Sequence, residues 1–395
     1  MAIMIAQKVQ QFLRGRGRAF ALYGGLFGGL AVLQFVLLGS LLSGFSGSEV
    51  AAWHAGQSLH AIWRDPLNAP FTLLTYIFEH FLHQSLYAVR LAGATIGMTT
   101  IILFWALLRM WYGVRTAAIG AALFGSSSWF LHTARLGTPG VLWFGLFGLV
   151  AAAVWVRRSG RPLAWLLCVA IGAMLLYVPG MVWFIAIGAL WRVRTFGVLA
   201  WQKKWVSASA LLIGIVGVAP LGYALARSPH LIKTWLGWPA HWPGVTMALK
   251  NIASVPVHIL FRGPGLPAHW LGHLPMLDIF GLVMLFLGIA AVLKQSRRVA
   301  VGFALIFVSA CVLVGLGSVS LSVLAPFAYL LIAAGVHDLG ERWSIVFPRN
   351  PIARNVGVGL LLAVVALSCA YNIRAYFIAW PQASATETAF HYQKP

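Results

Sequence analysis

Stretches of about 20 consecutive apolar residues, long enough to cross about 30 Å of hydrocarbon, recur along the whole of this 395-residue chain. No other feature constrains the fold as strongly. Inside a bilayer every backbone N–H and C=O must find its partner within the segment, so these runs are predicted to be helices. The short, strictly alternating segments of a membrane β-barrel are absent from the sequence. Only 9% of the residues are charged. A soluble domain carries roughly 25%, and the deficit is too large for a water-facing surface. The expected fold is all-α, a polytopic transmembrane helical bundle.

Hydropathy draws about eleven spans, over residues 20–42, 88–111, 117–131, 140–156, 163–178, 180–191, 208–225, 276–293, 299–316, 319–335 and 356–371. Pro179-Gly180 makes the division between the fifth and sixth the least secure. The 28 Lys and Arg face only 7 Asp and Glu. In a soluble chain that excess would suggest nucleic acid. Here the basic residues sit in short clusters between apolar runs, which is a topology signal and excludes nucleic acid as a partner. With the N-terminus inside, nineteen of the basic residues fall on inner segments and nine on outer ones, so N-in and C-out is expected. Residues 1–19 then form a basic cytoplasmic amphipathic segment, read as uncleaved. Residues 20–373 form the transmembrane domain, with long outer loops at 43–87 and 228–275, and 374–395 form a short outer tail. Cys168, Cys311 and Cys369 lie inside apolar runs and read as small core residues.

This map gathers the titratable groups on one side. Glu49, Asp65, Glu79, Asp278 and Glu387 fall outside, as do all histidines except His337, which places any chemistry on the outer face. Glu49 follows Gly47-Ser48 and precedes an amphipathic stretch. It is either a base at the membrane surface or a helix-start residue behind a Ser48 cap. His54 and Asp65 share that loop. Glu79, His80 and His83 share one helix-like run, with His80 and His83 spaced to face the same way, but no third metal ligand is linked to them. Arg90 and Arg135 stand at outer span ends, suited either to a lipid phosphate or to snorkelling toward headgroups. His132 precedes Arg135. Asp278 starts a span, as a cap or as a site acid. Arg262 sits on a Gly/Pro turn whose N–H groups would help hold an anion. Tyr177 marks the break at Pro179. No Walker loop, HExxH or GxSxG pattern occurs, and no acid sits in the middle of a span, which argues against an ATP-driven pump and against a proton- or sodium-coupled transporter.

The runs Arg90-Leu-Ala-Gly-Ala, Trp111-Tyr-Gly-Val-Arg-Thr-Ala-Ala and Ser126-Ser-Ser-Trp-Phe-Leu-His-Thr-Ala-Arg135-Leu-Gly-Thr-Pro, with Ala219-Pro-Leu-Gly-Tyr-Ala-Leu, Leu274-Pro-Met-Leu-Asp278 and Leu324-Ala-Pro-Phe-Ala-Tyr, resemble the polytopic GT-C glycosyltransferases. The branch they resemble holds the protein O-mannosyltransferases and the aminoarabinose transferases of lipid A. The resemblance runs over roughly residues 20–340 and rests on many weak matches. It implies an outer-face cavity, a polyprenyl-phosphate sugar donor as partner among the membrane lipids, and transfer to a lipid, glycan or protein. It implies Glu49 as the first-loop acid and Arg90 and Arg135 as donor-phosphate ligands, with Lys250, Arg262 and His269 as weaker candidates. It leaves a divalent metal open and names no other cofactor. It also implies a bacterial plasma membrane with the active face outward. The sequence departs from the family where an Asp-Glu pair becomes Ser48-Glu49, where a later acid becomes Gly140, and where a large outer domain is replaced by the short tail.

The expected reaction is an inverting transfer in which Glu49 takes the proton of the acceptor hydroxyl and Arg90 or Arg135 stabilises the departing phosphate. The missing acids keep a second reading open, that of a catalytically inactive relative that binds polyprenyl lipid or scaffolds a partner.

Overall fold

The computed structural model describes residue 17 and residues 21–42, 44–82, 87–202, 204–239, 241–317 and 319–390. The basic segment 1–19, apart from Gly17, and His83 lie outside the described residues. The first apolar run forms α1 (Ala21–Phe35). The loop after it folds into three short helices, α2 (Gly47–Gly56), α3 (Leu59–Arg64) and α4 (Ala69–Phe81). The bundle continues with α5 (Tyr87–Tyr112), α6 (Val114–Ser126), α7 (Ser128–Arg135), α8 (Leu146–Ser159), α9 (Pro162–Leu175), α10 (Met181–Gln202) and α11 (Lys204–Arg227). The second long loop holds α12 (His230–Trp235) and α13 (Val245–Leu260). Then come α14 (Ile279–Gln295), α15 (Arg297–Gly315), α16 (Ala325–Val346), α17 (Pro351–Arg374) and α18 (Ser384–Ala389). Among the described residues there is no strand.

Six helical stretches are long and apolar enough to cross a membrane, and six shorter apolar helices accompany them. By length and composition the chain is an integral membrane protein. The stretches divide by burial. In Leu321–Val346, 67% of the most apolar window is buried, against 17% in Lys204–Arg227 and in Pro351–Ala379. The former is a central post. The latter two are peripheral and turn apolar side chains outward, as lipid-facing helices do. The central seam runs between α14 and α16, where Gly288 lies against the Leu331 carbonyl and Gly335 against that of Met284, leaving no room for a Cβ at either position. Small residues let the two backbones touch, the usual means of joining helices where lipid offers no hydrophobic drive.

Two expected spans are broken. The run 20–42 ends as a helix at Phe35, and Leu37 takes a left-handed φ of 53°. The run 117–131 breaks at Ser127, whose extended backbone (φ −64°, ψ 139°) ends α6 and caps α7. Ser127 Oγ accepts from the Phe130 N–H, and Asn372 of α17 accepts the Ser128 N–H at 3.0 Å. The last segment is more than a tail. After α17 the chain turns through a π-helical stretch (Ala375–Ala379), and Trp380 is fully buried, with its indole N–H donated to the Pro267 carbonyl at 2.9 Å.

Candidate functional site

The broken end of α1 explains the two arginines. A helix terminus leaves carbonyls without intrahelical partners, and a cation there answers both the hydrogen bonds and the dipole. Arg135, at the end of α7, donates to the carbonyls of Val36 (2.6 Å) and Leu33 and to Tyr376 Oη (3.2 Å), with its guanidinium 4.7 Å from the Phe377 ring centre. Arg90, in the first turn of α5, donates to the carbonyls of Leu38 (3.3 Å) and Gly44 (2.7 Å) and lies over the Phe45 ring at 4.3 Å. Its Nε and Nη2 grip Glu49 at 2.7 and 3.1 Å. Glu49 is fully buried. Its Oε2 also accepts from the Ser46 N–H (2.9 Å) and hydroxyl (3.1 Å), and its Oε1 from the Gly137 N–H (3.3 Å). Ser46, not Ser48, caps α2, in a reciprocal capping box with Glu49. The Glu49 carboxylate thus receives five donors and has no lone pair turned toward an open face. A phosphate at Arg90 or Arg135 would have to displace these protein ligands.

Beside this knot opens a cavity of about 680 Å³, within the range of small-molecule sites. Its wall runs from Ser48 and Asn68 on the first loop, through α7 and the 3₁₀ turn Pro139–Gly145, to α13, the Pro264–His269 loop and the Val319–Ser322 turn. Among the described residues it carries hydroxyls, amides, three imidazoles and the indoles of Trp129 and Trp143, and no Asp, Glu, Lys or Arg.

Of the residues singled out in the sequence, the structure brings His132 and His269 to this wall. His132 packs tilted or edge-on among Trp270, Tyr376 and Trp380, with ring centres 4.5 to 5.0 Å apart. Burial, with His269 adding to it and the Ser128 carbonyl opposing it, lowers its pKa to about 3. Burial also lowers His269, while the Glu49 carboxylate pulls it back up. The others lie elsewhere. Asp278 is the N-cap of α14, accepting from the Gly281 N–H at 3.0 Å and from the Ser368 hydroxyl. Asp65 is exposed and closes a turn onto the Leu67 N–H at 3.1 Å. Tyr177 clamps α9 to α11 by donating to the Gly217 carbonyl at 2.6 Å. His54 and His80 are exposed. Glu79 is buried under α2, and its pKa is raised by burial, with the Trp53 indole opposing. Lys250 and Arg262 are exposed and do not line the cavity. The Arg262 and Gly263 N–H groups are spent on the Val257 and Leu274 carbonyls, so that turn is not an anion nest.

Sequence reasoning missed most of the wall. Asn251, Ser254 and His258 line it from α13, and their three- and four-residue spacing along one face of that helix was the available signal. Gly140 lines it too, and a Cβ there would meet only ordinary contacts, 3.6 Å from Ser320 Oγ and more. Among the described residues no group of three or more His, Cys, Asp or Glu is placed to hold a metal ion, and the saturated Glu49 offers none a ligand.

A helical bundle with a lobe of short helices after its first helix, closed over a cavity, is the GT-C fold, and the chain has that fold. It superposes on ArnT from Cupriavidus metallidurans in the apo state with a TM-score of 0.56 at 16% identity, over 94% of this chain and 77% of that one. The same enzyme bound to undecaprenyl phosphate gives 0.55 at 15%, over 93% and 77%. The archaeal oligosaccharyltransferase AglB from Archaeoglobus fulgidus, in complex with an inhibitory peptide and a dolichol-phosphate, gives 0.54 at 13%, over 95% of this chain and 57% of that one. These neighbours are GT-C glycosyltransferases. At such identities the likeness is one of fold. No protein-family model and no curated protein sequence matches the chain.

Proposed function

We propose that this chain is a membrane glycosyltransferase that takes a sugar from a polyprenyl-phosphate donor and passes it to a lipid, glycan or protein acceptor on the outer face of the membrane. The observation that carries this reading is a cavity of about 680 Å³ walled by hydroxyls, amides, imidazoles and indoles, in a fold shared with proteins solved with undecaprenyl phosphate and dolichol-phosphate. Lys250 and Arg262 serve the donor phosphate at the mouth. Lys250 adjoins Asn251 and lies one turn from Ser254 on α13, both on the wall. Arg262 follows two residues after α13, and its carbonyl accepts from His258 Nδ1 at 2.8 Å.

The acceptor oxygen attacks the anomeric carbon, the bond from that carbon to the phosphate oxygen breaks, and the phosphate leaves with the electron pair. One displacement inverts the centre. The proton released needs a base within reach. His269 takes it in this reading. It lies on the wall, and the nearby Glu49 carboxylate stabilises the imidazolium. Glu49 keeps the functional weight that the family resemblance gives it, exercised through His269 and through its hold on Arg90.

The test is turnover in proteoliposomes. Purified protein is incubated with polyprenyl-phosphate sugars and a membrane extract as acceptor, and released polyprenyl phosphate is quantified. Release with inversion, reduced in His269→Gln, supports the reading. Stoichiometric lipid binding with no release from any sugar donor overturns it and leaves a lipid-binding relative.

A further inference from the structure

The first loop meets the cavity at Asn68, the residue just before α4. Its backbone is left-handed, with φ 60° and ψ 25°. That region favours glycine, and asparagine is among the few side chains that tolerate it. Bonds on both sides fix the conformation. The Asn68 N–H donates to the Tyr177 carbonyl at 2.8 Å, and its own carbonyl accepts the N–H groups of Phe71 at 2.9 Å and Thr72 at 3.1 Å. An asparagine at the start of a helix ordinarily caps it with its side-chain oxygen, from an extended backbone. Here the backbone is not extended, and the side chain makes no cap bond. The amide therefore serves neither the turn, where glycine would do as well, nor the helix. It is also open. Asn68 is half-buried on the cavity wall. Its amide has no hydrogen-bond partner among the described residues, yet it is not sealed from open space as the unpartnered oxygens of Thr75 and Glu79 on α4 are.

We propose that Asn68 is a substrate-binding residue whose amide holds a sugar hydroxyl in the cavity. A primary amide presents an N–H donor and a carbonyl acceptor side by side. A hydroxyl uses both, whereas a phosphate only accepts and a polyprenyl chain does neither. The hydroxyl belongs either to the sugar of the donor or to a glycan acceptor. The inference rests on the transferase reading above, since it takes the cavity as the place where the sugar lies.

Asn68→Gly tests it, because glycine suits the left-handed backbone and the substitution removes the amide. The full chain in nanodiscs is titrated with farnesyl phosphate alone and with farnesyl-phosphate glycosides of a neutral hexose, an amino sugar and a uronic acid, followed by tryptophan fluorescence. Turnover of the same glycosides is measured with a membrane extract as acceptor. If the hydroxyl is the donor's, the glycoside that wild type prefers over farnesyl phosphate should lose roughly fivefold to tenfold in affinity, the worth of one hydrogen bond. Farnesyl phosphate affinity should not change, and the melting temperature should stay level or rise. If the hydroxyl is the acceptor's, glycoside affinity should hold and the acceptor concentration for half-maximal turnover should rise by a similar factor. Asn68→Asp keeps the side-chain shape, tolerates the same backbone and loses the amide donors. It should weaken the same quantity, and it serves as the readout if the glycine variant does not fold. Unchanged affinity and turnover in both variants overturns the inference. So does a melting temperature that falls in step with them, which would make Asn68 part of the scaffold. Equal binding of farnesyl phosphate and every glycoside, with no turnover, overturns the transferase reading, and this inference with it.

Discussion

The Glu49–Arg90–Arg135 knot and the cavity wall beside it use polar groups in opposite ways. In the knot two guanidinium groups and a carboxylate are all but fully buried and satisfied by one another and by the stray carbonyls at the end of α1. On the wall the groups are neutral, and one of them, His132 Nε2, is left without a partner. Charge is spent on holding a broken helix end and the loop after it together. In the proposed function, recognition falls to hydroxyls and imidazoles. A buried charge is tolerable only when paired and fully hydrogen-bonded, so a saturated pair makes a rigid support and a poor site for exchanging ligands. A neutral lone pair costs far less to leave open.

Breaking the knot is the harshest test of this division. Arg90→Leu leaves Glu49 buried without its counter-ion, which should destabilise the fold by about 3–5 kcal/mol. The expected result is loss of monodisperse protein in detergent, with most of the stability returning in the double variant Arg90→Leu, Glu49→Leu. An Arg90→Leu protein with an unchanged melting temperature would mean that the knot is not the support described here. On the wall, His269→Gln should do the reverse. Removing a general base slows turnover by roughly a hundredfold or more while the melting temperature stays put. If both move together, His269 is part of the scaffold.

Acid distinguishes the two regions without mutation. The pKa of His132 is held near 3 by burial, against an ordinary 6.5. Between those values the unfolded chain binds the proton and the folded one does not, so stability should fall as the pH drops from about 6.5 toward 3. His269, also lowered by burial against the opposing pull of Glu49, adds in the same direction. Melting temperature against pH in detergent should therefore slope downward on the acid side, and His132→Phe should flatten part of that slope. An unchanged slope would show that the buried imidazole is not what titrates.

The bundle was legible in the sequence because lipid imposes length and apolarity on every span, and the helices of the first outer loop showed through their spacing. The breaks were not. Ser127 is the middle of three serines in a run otherwise apolar enough to read as one span, and what stops the helix there includes Asn372, 244 positions from Ser128, the residue whose N–H it holds. The arginines were visible as arginines at span ends, but the same planar fork serves a phosphate or a row of backbone carbonyls, and only the position of the end of α1 decides between them. His132 was visible only as the neighbour of Arg135, and His269 only through the family resemblance. The serines of the wall did not, because serine also caps helices and folds back on its own backbone, as Ser126 does onto the Ala122 carbonyl at 2.7 Å.

The smallest effect expected falls on the two cations outside both regions. Among the described residues no ion pair engages Lys250 or Arg262, and both are exposed. If they hold the donor phosphate at the mouth, their contribution is screened by water and salt. Lys250→Gln with Arg262→Gln should raise KM for the lipid donor by a factor of roughly two to five at low salt, with kcat unchanged. The difference from wild type should shrink as salt is added, because an exposed charge loses its reach beyond a Debye length of about 10 Å at 0.1 M. A large drop in kcat in this variant would place the leaving phosphate at Lys250 and Arg262 in the transition state itself. No change at any salt would return the phosphate to the knot, where Arg90 or Arg135 would have to release its carbonyls to receive it.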